Sequence, residues 1–125
     1  MSECRLLVVD QNPESRGVIS EALIDQGYAV SVAAGGSEAI RAFADGRPSL
    51  ALVHVEGASA DQLRALRQLQ EHAPDLPVLI LGGNPEAKAV AEQVHSIGYV
   101  ADPLNLDDLV DTVERVCPLV EAESS

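Results

Sequence analysis

Residues 5–14 read RLLVVDQNPE, and this stretch decides the fold. Arg5 to Val9 form a near-continuous apolar run of strand length. Asn12-Pro13-Glu14 then opens a helix: Asn caps, Pro suits the first helical position, and an acid suits the positive end of the dipole. A strand that is apolar without alternation is covered on both faces, as parallel strands are. A strand passing straight into a capped helix is the first half of a βα unit.

Working outward, the same unit recurs about every 25 residues. Strand β1 (5–9) is followed by helix α1, whose Val18, Ile19, Ala22 and Leu23 share one face and which Gly27 ends as a C′ glycine. Strand β2 (28–33) leads through a Gly35-Gly36 turn into helix α2, opened by Ser37-Glu38 and closed by Asp45-Gly46, with Ile40 and Phe43 inward. Strand β3 (50–55) precedes helix α3 (60–73), with Leu63, Leu66 and Leu69 on one stripe. Strand β4 (77–81), a Gly82-Gly83-Asn84-Pro85 loop and helix α4 (about 85–96) come next. A short strand β5 (99–101) and helix α5, capped by Asn105 with Leu106, Leu109, Val110, Val113 and Val116 inward, complete the domain. One domain over 1–120 and an acidic polar tail over 121–125 are expected. The pattern predicts an α/β three-layer sandwich around a five-stranded parallel sheet.

Composition narrows the function classes. Of 125 residues, 46% are hydrophobic and only 2% aromatic, so the core is aliphatic. Twenty acids against eight bases give −12. This surface lacks the cations to hold a nucleic-acid backbone or an anionic membrane, and it favours basic protein partners. No apolar run has the length of a membrane span, and no signal peptide is visible. The two cysteines, Cys4 and Cys117, sit at opposite ends in apolar contexts and read as buried free thiols in a reduced, cytoplasmic protein.

In an open parallel sheet the ligand site lies at the carboxyl ends of the strands. Here those ends present Asp10-Gln11, His54-Val55-Glu56, Gly82-Gly83 and Asp102-Pro103. With LLVVDQNPESR after the first strand, PDLPVLIL for the fourth and DPLNLDDL at the last turn, the ordered set resembles the receiver domain of two-component response regulators along essentially the whole chain. The resemblance implies a flavodoxin-like receiver fold with strand order 2-1-3-4-5. An active receiver phosphorylates its own aspartate with the help of Mg²⁺, an acid pair, a lysine and a hydroxyl residue.

By the same resemblance, Asp10 matches one member of the acid pair. Gln11 stands for the second acid, His54 for the nucleophilic Asp, Gly82 for the hydroxyl residue and Asp102 for the Lys. Pro103 matches a proline that is typically cis. One of five functional positions survives, which implies a degenerate pseudo-receiver with no catalytic residue, resident metal or cofactor. Such a module acts through protein contacts, with an attached output domain or a partner, and the α4/β5/α5 face is the family's dimer or partner surface. Here that face carries Lys88, Glu92, Tyr99, Asp107 and Asp111.

His54 leaves several readings open. It can sit against a carboxylate in place of the lost network, and Asp10 and Asp102 are the expected flanking charges. It can instead join those two acids as a metal or small-ligand site, act as a pH switch, or accept a phosphoryl group in an unorthodox phosphorelay.

Overall fold

Strand β1, Arg5–Val9, lies inside the sheet and explains its layering. Leu6 and Val8 point to one face and Leu7 to the other, and all three are fully buried, so helices cover both faces. The computed structural model describes residues 4–55, 60–82, 89, 92, 96–101 and 105–117.

The other strands are β2 (Ala29–Ala33), β3 (Leu50–His54), β4 (Val78–Gly82) and β5 (Gly98–Ala101). The helices are α1 (Pro13–Asp25), α2 (Gly36–Gly46), α3 (Ala60–His72) and α5 (Leu106–Val116). All strand pairs are parallel and the order is β2-β1-β3-β4-β5. This is the expected flavodoxin-like receiver architecture. Of α4, Ala89 and Glu92 are described, and both are helical.

Two apolar clusters flank the sheet. Ile19 and Leu23 of α1 join Leu109 and Val113 of α5 against Leu6, Val8, Leu50, Leu52, Leu79 and Leu81. On the other face, Ala39 of α2 and Leu66 and Leu69 of α3 cover Leu7, Ala51, Val53, Val78 and Ile80. Local signals set the helix ends. Asn12 accepts from the Glu14 N–H and Asn105 from the N–H groups of Asp107 and Asp108. Gly27, at φ 104°, reverses the chain after α1.

Several details depart from the sequence reading. Val18 and Val116 are about half exposed rather than inward. The buried seams of α1 and α5 are narrower than the apolar pattern suggests, with Ile19/Leu23 and Leu109/Val113 at i, i+4 spacing. Gly46 remains helical, and it is Arg47 that takes the left-handed conformation, at φ 49°.

The largest correction concerns the cysteines. Cys4 and Cys117 are joined in a disulfide, with their Cα atoms 6.0 Å apart. Cys4 immediately precedes β1 and Cys117 caps α5, and the packing of α5 on the sheet brings these two points together. Sequence separation of 113 residues conceals that closeness.

Candidate functional site

Asp10 and His54 are the buried polar side chains among the described residues, at 1% and 6% exposure. Adjacent parallel strands carry them: Val8 and Val9 of β1 register with Leu52 and Val53 of β3, so the carboxyl ends of both strands lie side by side. Asp10 lies one residue past β1 and His54 ends β3. Imidazole Nδ1 of His54 is 3.2 Å from Oδ2 of Asp10. A charged ring makes an ion pair there, and a neutral ring with its proton on Nδ1 can approach the same oxygen as a donor.

The carboxylate is held from other directions as well. The Asn12 N–H donates to Oδ1 at 3.0 Å, and the Ser15 hydroxyl donates to Oδ2. Arg16 donates to the Asp10 carbonyl at 2.9 Å, and the Asp10 N–H donates to Ala33 of β2 at 3.0 Å. Residue 10 is therefore fixed at backbone and side chain. Sequence reasoning missed Ser15 and Arg16. No local signal marks them, because which side chains of the first turns of α1 reach Asp10 depends on how the helix crosses the end of β1.

Beside the pair lies a cavity of about 200 Å³, between the ends of β1 and β3, the β2–α2 turn and α3. Small residues leave this space, including Ala34, Gly35, Ala39 and Ala65. Asp10, Gln11 and His54 form its polar wall. The turn is braced by Glu38, whose carboxylate accepts from the Ala34 N–H at 2.9 Å. The volume is below the roughly 300–1,000 Å³ of ordinary small-molecule pockets.

The remaining expected site residues divide. Gln11 is exposed at the cavity rim. Gly82 is buried at the end of β4, and its carbonyl accepts from the Tyr99 hydroxyl at 3.0 Å. Tyr99 is half-buried against the α2/α3 cluster, so its polar tip is engaged within the domain. Glu92, Asp107 and Asp111 are exposed. Asp102, Pro103, Lys88 and the tail 121–125 lie outside the described residues. Thus the structure brings Asp10, Gln11 and His54 together around one cavity. Gly82 and Tyr99 are joined to each other at the neighbouring strand ends. Among the described residues, no three metal-ligating side chains gather.

What the arrangement can do chemically follows from Asp10. Mg²⁺ takes oxygen ligands in a near-ideal octahedron, commonly one or two carboxylates with several waters. Here both oxygens already accept from protein donors, and the buried His54 ring approaches Oδ2. A cation at Oδ2 would have to displace the Ser15 and His54 contacts, whereas Oδ1 accepts from the Asn12 N–H.

The model of the response regulator receiver domain family matches residues 6–114. The DNA-binding transcriptional regulator NtrC of Escherichia coli is 30% identical over 110 residues, covering 86% of this chain and 24% of that protein. The regulatory protein AtoC of the same species is 29% identical over 117 residues, covering 92% of this chain and 25% of AtoC. The chain thus spans about a quarter of the length of these curated relatives. Among solved structures, the Vibrio cholerae chemotaxis protein CheY4 superposes with a TM-score of 0.78 at 26% identity, covering 92% of this chain and 99% of that one. The receiver domain of NtrX from Brucella abortus gives 0.78 at 26%, covering 89% and 96%.

Proposed function

Since the chain belongs to the response regulator receiver domain family, we propose that it is a receiver that signals without phosphorylation of an aspartate, through protein–protein contacts in a bacterial two-component or transcription-regulating pathway. One observation carries this reading. His54 ends β3, at the position the family resemblance gives to the phosphoacceptor, and its ring rests on the one acid that remains at the end of β1. The site supplies neither a carboxylate nucleophile at residue 54 nor an unengaged carboxylate at residue 10. The contact between residues 10 and 54 is made by the sequence itself rather than by a phosphoryl group and a metal.

In this reading the domain is a signalling module and not an enzyme. It works in the cytoplasm on an attached output segment or a separate protein, and it binds no nucleic acid itself. Exposed Glu92, Asp107 and Asp111 give the α4/β5/α5 side an acidic character, which suits a basic partner surface or, with charges offset, a second copy.

The test is an amide NMR titration with Mg²⁺, then with Mg²⁺ and beryllofluoride. The expected outcome is no saturable shift at His54, Gly82 or Tyr99. Saturable shifts at all three would overturn the reading in favour of a working phosphoryl site. The cavity supports a second reading, a sensor of a small ligand. Shifts from a small-molecule fragment set, confined to Ala34, Ala39 and Ala65 without any response to Mg²⁺, would favour it.

A further inference from the structure

We propose that Cys4 and Cys117 form a redox-responsive latch that fastens the last turn of α5 to the start of β1. The latch stands on the geometry at the start of β1 and the end of α5 and not on the reading of the His54 pair.

The argument begins with how α5 is held. Its buried side chains are Leu109 and Val113. Beyond Val113, Glu114, Arg115 and Val116 are all exposed. The final turn therefore has little apolar hold of its own. Among the described residues, the sulfur bridge to Cys4 and the Tyr28 hydroxyl, which donates to the Cys117 carbonyl at 3.0 Å, tie it to the rest of the domain. Cys4 is buried in the α1/α5 cluster, whereas Cys117 is half-buried at its margin. One end of the bridge is fixed to the sheet and the other belongs to a turn that can move.

The chain contains two cysteines in all, so oxidation has one intramolecular product. Reduction needs a thiol reductant, of the glutathione or dithiol-protein class. Its thiolate attacks Sγ of Cys117, forms a mixed disulfide and releases the Cys4 thiolate, which takes up a proton. A second reductant thiolate then displaces Cys117. Two electrons and two protons pass to the protein, and one disulfide of the reductant forms. Oxidation by a disulfide of the same class is the reverse. In the oxidised form Cys117, at the end of α5, is fixed to the sheet. In the reduced form that turn keeps the Tyr28 hydrogen bond and the Cys117 N–H bond to Val113 within the helix.

The experiment uses the full chain in glutathione buffers graded from reducing to oxidising. Alkylation followed by intact mass gives the oxidised fraction, and hydrogen exchange is measured on both forms. The latch predicts a reversible transition within the buffer series. It also predicts exchange at residues 113–117 about tenfold or more faster in the reduced form, and faster there than at the β1 amides, which open only with the whole fold. Cys117→Ser and Cys4→Ser should each reproduce the reduced pattern without any redox response. An oxidised fraction that is constant across the series, or equal exchange at 113–117 in the two forms, would overturn the proposal. The reduced native chain carries the test even if a variant fails to fold.

Discussion

At the scale of single residues, Tyr28 links burial to pH. Its ring sits in the α1/α5 cluster at 4% exposure and its hydroxyl donates to Cys117. Burial first, and the Glu114 carboxylate second, hold the phenol above its ordinary value of 10.0. The folded state thus keeps its proton where the unfolded chain has lost it. The resulting stabilisation is complete below pH 10, the unfolded value, and falls away as pH rises through the higher folded value. Tyr28→Phe should lower stability at neutral pH by about 1 kcal/mol, the worth of one hydrogen bond. The same variant should flatten the alkaline loss. Urea unfolding of both proteins at neutral pH and above pH 10 checks both statements. Arg47 teaches the converse lesson at this scale. Glycine is the usual left-handed residue at a helix end, and the sequence offers Gly46 for that role. The chain instead continues one residue further, and Arg47 takes the strained conformation.

Between elements, α2 approaches α3 closely at Gly36. A Cβ built on Gly36 would stand 2.5 Å from Ala65 Cβ and 3.0 Å from its Cα. Two helices meet there on small residues, and the β2–α2 turn closes over the cavity beside His54. Gly36→Ala should cost about 1–3 kcal/mol through overpacking. Ala65→Gly in the same chain should recover part of that cost, giving a measurable coupling in a double-mutant cycle of urea midpoints. Additive effects would show that the helices part freely. The elements themselves were legible in the sequence for a physical reason. Strands covered on both faces must be apolar runs, and the Asn12-Pro13 and Asn105 caps mark helix starts chemically. The strand ends were legible as well, and they set Asp10 beside His54; Asp102, the other expected neighbour, lies outside the described residues. Ser15 on the carboxylate was not, since that contact depends on how α1 crosses β1. Nor was the engagement of Tyr99 by a backbone carbonyl, because every residue carries one.

For the whole molecule, the decisive covalent feature is the bridge over 113 residues. The cysteines read as separate thiols because nothing local joins them, and only the completed sheet with α5 packed on it sets their Cα atoms 6.0 Å apart. In the chain-entropy description, closing so long a loop stabilises the fold by roughly 5 kcal/mol, by restricting the unfolded ensemble. Reduction should lower the urea midpoint accordingly. Because the bridge also reduces what unfolding exposes, the reduced chain should show a steeper denaturant slope. Unfolding in the presence and absence of a strong thiol reductant measures both.

The bridge also turns the domain into a ring. Cys4 and Cys117 bracket every described strand and helix. Tension applied to the chain outside them would run from one sulfur to the other and bypass the sheet. While the bridge is closed, all the strands lie slack within the loop, and a pull along the polypeptide cannot peel β1 from its neighbours. Once it opens, the same pull falls on the edge of α5 and on the first residues of β1, which lies between β2 and β3. The fold would be mechanically silent in one redox state and a load-bearing element in the other.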